Sequence, residues 1–182
     1  MTRFPHGLSI ALCALAFSVL LAACNSGGPR QGPLGETIYP GIPGGDHTKD
    51  QGEKVTYDRY PPVGGKHASI WQNCGVYDTE IQVETAVHAM EHGAVWVTYK
   101  SSIPESDKGK LRLMVVNKPY RLLSVYEAQD APIIVTAWGT QLKLQSLDED
   151  KIEKFFTRYQ GTDSLAPERG ASCVGGTGVP RQ

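Results

Sequence analysis

The segment V-H-A-M-E-H-G-A-V-W-V, residues 87–97, changes its hydrophobic period halfway along, and this change constrains how the chain folds. Its first half suits a short helix that ends at Gly93, because glycine is favoured immediately after a helix. Its second half alternates between faces as a strand does. The segment therefore predicts a corner at which a helix of residues 84–92 turns into a strand of residues 94–99.

Two of the chain's five histidines lie on this predicted helix with a glutamate between them. His88 and His92 are four residues apart, so they lie on one helical face, and Glu91 falls near the same face. This spacing favours a metal site. The alternative is a structural role, in which the imidazoles form hydrogen bonds in the core or at the helix C-terminus, where the helix dipole favours imidazolium.

The same residues match H-x-x-E-H, the pattern of inverted zinc metallopeptidases. In that pattern His88 and His92 would bind zinc, and Glu91 would activate a water molecule. Two features oppose this interpretation: Gly93 stops the helix at once, and the domain is small beside peptidases of that kind. Zinc-dependent hydrolysis is therefore kept as an alternative.

Two further histidines come from predicted loops. His67 ends the segment R-Y-P-P-V-G-G-K-H, whose prolines and glycines exclude regular structure and hold the imidazole in a constrained loop. His47 lies in G-G-D-H-T. We predict His67, His88 and His92 as metal ligands and His47 as a fourth, with Glu91 orienting an imidazole. Imidazole ligands favour copper or zinc over calcium or magnesium.

The N-terminus has the layout of a bacterial lipoprotein signal. Arg3 precedes an apolar run over residues 8–20, and Leu-Ala-Ala then leads into Cys24. We predict that residues 1–23 are removed and that a lipid on Cys24 anchors the protein to a membrane, facing the periplasm or the cell exterior. The alternatives are an ordinary signal peptide with a chance cysteine and a short transmembrane anchor, for which the run is too short.

Composition divides the remaining chain into three parts. Residues 24–46 are rich in glycine and proline and poor in large apolar side chains, which predicts a flexible tether. Residues 47–173 are predicted to form a single globular domain, and residues 174–182 a disordered tail. The formal net charge is −1 and no basic patch with interleaved aromatic residues occurs, so nucleic acid is not an expected partner.

The predicted mature chain retains two cysteines besides the lipidated one. In an oxidising compartment, Cys74 and Cys173 are most simply predicted to form a disulfide. The alternative makes Cys74 a metal ligand, since it lies between His67 and His88 in the sequence.

Helices and strands interleave beyond the predicted corner. The pattern predicts a helix after Ser102, strands over residues 121–126 and 132–138, and residues 141–144 as a continuation of the second strand. The last predicted helix, within residues 146–161, has the clearest apolar spacing and begins with the capping-box letters S-L-D-E. We therefore predict an α+β or α/β fold, with a small mixed sheet covered by two or three helices.

Five segments form a combination more specific than any one of them. They are R-Y-P-P-V-G-G-K-H, W-Q-N-C-G-V-Y, E-T-A-V-H-A-M-E-H-G-A-V-W-V-T-Y, V-T-A-W-G and A-P-E-R-G-A-S-C. Together they resemble the bacterial domain of unknown function 3105 family, over about residues 47–173. The resemblance marks the loop 61–67 and the block 88–93 as characteristic but implies no activity. One departure is Gly64, where the family pattern would place serine or threonine.

Three hypotheses for function follow. The favoured one is a lipid-anchored extracytoplasmic module that binds copper or zinc through its histidines. The second is a zinc-dependent hydrolase with Glu91 as general base. The third is a structural or interaction lipoprotein, in which the histidines are packing residues and the bond between Cys74 and Cys173 supplies stability.

Overall fold

One mixed sheet of seven strands forms the centre of the computed structural model, which describes Met1 and residues 27–181. The strands are β1 (Arg30–Gln31), β2 (Thr37–Ile38), β3 (Gly75–Val76), β4 (Val95–Tyr99), β5 (Arg121–Val125), β6 (Ile133–Ala137) and β7 (Thr140–Leu144). The same described residues contain three α-helices, α1 (Val83–Glu91), α2 (Glu105–Val115) and α3 (Glu149–Tyr159). The predicted α+β fold with a mixed sheet is confirmed.

The strands lie in the order β1-β2-β7-β6-β4-β5-β3. The three strands β4, β5 and β3 run parallel to one another, whereas the remaining pairs are antiparallel. The connection from β4 to β5 passes through α2, because parallel neighbours need a crossover. In the register of β4, Trp96 lies between Leu122 of β5 and Thr136 of β6.

The sheet separates two apolar layers. Val95 and Val97 of β4 belong to the cluster that contains α2 and α3, whereas Trp96 belongs to the cluster that contains α1. This split follows because successive side chains of a strand point to opposite faces. Phe155 and Phe156 fill the α2 and α3 side and are fully buried. The histidine-bearing helix α1 therefore packs alone with loops on the other face.

The predicted corner between helix and strand is present. The amide of Gly93 donates to the carbonyl of Met90 and closes α1, and β4 begins two residues later. Gly93 has φ +102°, and a Cβ there would lie 2.5 Å from the carbonyl oxygen of Gly161. Only glycine therefore fits where α1 turns into the sheet.

The prediction that residues 141–144 continue the preceding strand is wrong. β6 and β7 are separate antiparallel neighbours, with Ala137 opposite Thr140. The turn between them contains Gly139, with φ +68°. Glycine at positive φ reverses the chain into a tight hairpin rather than extending the strand.

The structure differs from the predicted tether over residues 30–46. β1 and β2 extend the sheet beyond β7, and Glu36 between them is fully buried. The hydroxyl of Tyr159 donates to Oε1 of Glu36 over 2.5 Å. The glycines and prolines of this segment therefore form turns that pack on the domain. The predicted signal peptide, residues 1–23, and Cys24 lie outside the described residues, apart from Met1.

The C-terminal tail, predicted as disordered, also contacts the domain. Thr177 pairs with Gln72, and Arg181 pairs with Val76 at the edge of the sheet. The predicted disulfide between Cys74 and Cys173 is confirmed, with the two Cα atoms 5.4 Å apart. It joins the start of the tail to the loop that precedes β3. Within residues 27–181, none of the helices has the length and apolar character needed to cross a membrane.

Candidate metal centre

Two loops place His47 and His67 side by side. The amide of Thr48 donates to the carbonyl of His67 over 2.7 Å, and the amide of His67 donates to Asp46 over 3.0 Å. These bonds form a short parallel bridge between the two histidines, whose ring centroids are 4.8 Å apart. His67 is fully buried, whereas the side chain of His47 is 38% exposed.

The third imidazole comes from α1. The ring centroid of His88 lies 4.9 Å from that of His67 and 5.0 Å from that of His47. Since His88 is in the last turn of α1, its ring lies at the negative end of the helix dipole, where a cation is favoured. Three imidazoles from three segments of the chain therefore meet around one point.

Glu91 completes this group from the same helix. Its Oε1 accepts a 2.6 Å hydrogen bond from the amide of Gly45, in the segment predicted as tether. Its Oε2 lies 2.9 Å from Nε2 of His67 and 3.9 Å from Nε2 of His47. Among the described residues, Nε2 of His67 and Oε2 of Glu91 are buried without an aligned hydrogen-bond partner. Both atoms therefore remain available as ligands.

Backbone carbonyls orient three of the four imidazoles. Nδ1 of His67 lies 2.7 Å from the carbonyl oxygen of Gly65, Nδ1 of His88 lies 2.7 Å from that of Ala68, and Nδ1 of His92 lies 2.6 Å from that of Ser172. A carbonyl oxygen only accepts, so each Nδ1 carries the proton and donates. In the neutral form of each imidazole, Nε2 therefore keeps its lone pair, the arrangement that metal-binding histidines usually show.

The pKa shifts of the cluster follow from burial and from the contacts among its members. Burial disfavours the imidazolium of His88 and lowers its pKa to about 4. The hydrogen bond to the Ala68 carbonyl opposes this shift, whereas the neighbouring imidazoles add to it. Burial alone would raise the pKa of Glu91, but His67 and the Gly45 amide outweigh burial and lower it. For His67, burial lowers the pKa, but the contacts with Glu91 and with the Gly65 carbonyl have the larger effect. The pKa of His67 is therefore raised. At neutral pH, Glu91 is therefore a carboxylate, and His88 has a free lone pair.

The donor atoms form two overlapping groups. His47, His67, His88 and Glu91 each offer one ligand atom, and these atoms all lie within 4.8 Å of one another. The second group consists of His88, His92 and Glu168, under the same limit. The structure thus gathers all four predicted histidines, but His92 joins His88 in the second group and not the first. Glu91, predicted to orient an imidazole, contacts His67 and also offers its own oxygen to the first group.

Sequence reasoning missed Glu168. Its Oε2 lies 3.5 Å from Nε2 of His92, and its side chain is 51% exposed. The loop that carries it caps α1: the amide of Glu168 donates to the carbonyl of Glu91, and the amide of Gly170 donates to that of His92. Its place in the segment A-P-E-R-G-A-S-C, next to Cys173, was the available signal.

Fold and site together define the class of protein. It is a small α+β domain, closed by a disulfide, with a cluster of histidines and glutamate that can hold a metal ion. The family model described as "Protein of unknown function (DUF3105)" matches residues 48–175, well over half of the chain. The chain therefore belongs to this family, which confirms the resemblance of its five segments. No curated protein and no solved structure was found to match it.

Proposed function

We propose that the protein is a lipid-anchored extracytoplasmic module that binds one copper or zinc ion through its histidine cluster. The observation that carries this proposal is the shared orientation of the buried imidazoles. His67 and His88 each donate Nδ1–H to a backbone carbonyl, and the buried Nε2 of His67 lies 2.9 Å from the buried Oε2 of Glu91, both without an aligned hydrogen-bond partner in the described part of the chain. Leaving such polar atoms buried and unpaired is costly, and a bound cation would satisfy them.

The donor set favours copper or zinc. Three imidazole nitrogens and one carboxylate oxygen suit these ions, whereas calcium and magnesium prefer all-oxygen sites. Ligand atoms around tetrahedral zinc lie about 3.3 Å apart, given metal–ligand distances near 2.0 Å. The donors here lie within 4.8 Å, so small side-chain movements would bring them around one ion.

The cluster supports binding better than hydrolysis. A general base works best when its pKa is near the operating pH, but the pKa of Glu91 is lowered by its contacts with His67 and Gly45. Its Oε1 also accepts from the Gly45 amide over 2.6 Å, and its Oε2 lies 2.9 Å from Nε2 of His67. In this H-x-x-E-H segment, Glu91 is therefore placed as one of the donor atoms and would be a weak general base.

The metal proposal is tested on the full chain purified in detergent. We expect mass spectrometry to find one copper or zinc ion per chain, and titration calorimetry to show its loss in the double variant His67→Gln with His88→Gln. Glu91→Gln should weaken binding about 10-fold or more. The matched control is Glu105→Gln on α2, the same change on the opposite face of the sheet. Metal-free wild type, or full binding in the double variant, would refute the proposal.

Membrane anchoring is tested separately, because its support is the lipoprotein-signal layout of residues 1–24 alone. We expect the mass of the purified protein to show removal of residues 1–23 and a lipid on Cys24. Cys24→Ala should release the protein from the membrane fraction. An intact N-terminus without lipid would refute the anchoring and leave the metal proposal unaffected.

A further inference from the structure

The two groups of donor atoms share a single residue, His88. Its ring centroid lies 4.9 Å from that of His67 on one side and 4.7 Å from that of His92 on the other. We name the group of His47, His67, His88 and Glu91 the inner position, and the group of His88, His92 and Glu168 the outer position. The two positions are therefore adjacent rather than separate sites.

His88 has only one lone pair to give to these two positions. Its Nδ1 donates to the carbonyl of Ala68 over 2.7 Å, so Nε2 alone is left for a metal. One imidazole nitrogen coordinates one ion at a time. The inner and outer positions are therefore alternatives for a single ion, which excludes two ions that both use His88.

The outer position is the more accessible one. Glu168 is 51% exposed, whereas His67 and Glu91 of the inner position are fully buried. A carboxylate at the surface attracts a cation before the buried ligands meet it. His47, with 38% of its side chain exposed, is the competing point of entry and is included in the test below.

On the basis of the metal-binding function proposed above, we propose that His92 and Glu168 capture the ion and pass it inwards. His88 stays bound throughout the transfer. His92 and Glu168 are released as His67, Glu91 and His47 bind, so nitrogen and carboxylate ligands are exchanged for ligands of the same kinds. The ion keeps its oxidation state, and no electron is transferred.

Two tryptophans lie beside the cluster, Trp71 nearer to the outer position and Trp138 nearer to the inner one. The ring centroid of Trp71 lies 4.8 Å from that of His92 and 5.7 Å from that of the shared His88, whereas the ring centroid of Trp138 lies 5.9 Å from that of His67. Because Cu²⁺ quenches nearby indole fluorescence, copper(II) chloride is the probe, and stopped-flow mixing with the full chain is the measurement. Trp138→Phe keeps Trp71 as the reporter of the outer position, and Trp71→Phe keeps Trp138 as the reporter of the inner one. The third tryptophan, Trp96, is buried and is present in both variants as a common background. We expect Trp71 to be quenched before Trp138.

The decisive variant is Glu168→Gln, which removes the charge of a side chain that is 51% exposed and keeps its size. We expect its association rate constant to fall about tenfold, because the steering charge is lost. Since Glu168 is absent from the final ligand set, the dissociation rate should fall by the same factor and the equilibrium Kd should stay within about threefold. The control Glu105→Gln should leave both rates unchanged.

Several results would overturn this transfer. The first is the binding of two copper ions per chain. The second is a Kd that Glu168→Gln raises while the association rate stays unchanged. The third is association that is slowed by His47→Ala but not by Glu168→Gln. Copper binding by the wild type with unaltered kinetics in Glu168→Gln would remove the transfer alone. A wild type that binds no copper and no zinc would remove the proposed function together with it.

Discussion

The amide of Gly45 donates to Oε1 of Glu91 over 2.6 Å, so the segment before His47 reaches into the candidate metal centre. The contact depends on the residue before it. A Cβ on Gly44 would lie 2.4 Å from Oε1 of Glu91 and 2.3 Å from Cγ of Pro167. The backbone of residues 44–45 therefore packs against the end of α1 without space for a Cβ at residue 44.

We expect Gly44→Ala to displace Glu91 and weaken metal binding about 10-fold. Overpacking should also lower the free energy of unfolding by about 1–3 kcal/mol. Gly109→Ala is the matched control, because Gly109 is exposed on α2 with nothing near its added Cβ, and it should stabilise the helix by about 1 kcal/mol. Titration calorimetry and urea denaturation give both quantities. Unchanged affinity in Gly44→Ala would show that Glu91 is not a ligand.

Metal binding should stabilise the fold. At an ion concentration 100-fold above Kd, the free energy of unfolding should rise by about 2.7 kcal/mol, because only the folded chain gathers the ligands. Chelation with EDTA should reverse the rise, and Mg²⁺ should not produce it. Thermal unfolding followed by circular dichroism is the measurement. The same rise in the variant carrying His67→Gln and His88→Gln would place the ion elsewhere.

The disulfide should carry a large share of the stability. It closes a loop between residues 99 positions apart, and its removal by Cys74→Ser with Cys173→Ser should cost about 4.7 kcal/mol in the chain-entropy model. Urea denaturation of oxidised wild type and the double variant gives the difference. A cost below about 1 kcal/mol would mean that the tail stays in place through its backbone pairing alone.

Tyr159 should make stability depend on alkaline pH. Burial, followed by the contact with Glu36, raises its pKa from the ordinary value of 10.0 to about 12. The stabilising effect is complete below pH 10 and is lost as pH rises towards 12, because the unfolded chain then releases a proton that the folded chain keeps. Tyr159→Phe should therefore lose less stability between pH 10 and 12 than the wild type does. Equal pH slopes in urea denaturation would contradict this.

Local patterns predicted the elements of this fold well. The apolar spacing before Tyr159 gave α3, although Asp148, not Ser146, caps it by accepting from the amide of Lys151. The corner at Gly93 was predicted because two short-range signals, a change of period and a helix-ending glycine, coincide there. Elements like these depend on neighbours in sequence, which a single chain displays.

Contacts between distant segments could not be predicted in the same way. The pairing of β2 with β7 joins residues about 100 positions apart, and composition alone predicted a tether at β2. Glu168 was missed because its partner His92 is brought to it by the fold and not by spacing. The histidines were found because imidazole is rare and chemically specific, whereas a single exposed glutamate is neither.

The pairing of β1 within the sheet bears on how the domain would sit at a membrane. Arg30 in β1 follows Cys24 by six positions. A fully extended chain of six residues spans at most about 21 Å. If Cys24 carries the proposed lipid, the domain lies close to the lipid headgroups. Any protein that exchanges metal with it must then bind it beside the bilayer surface.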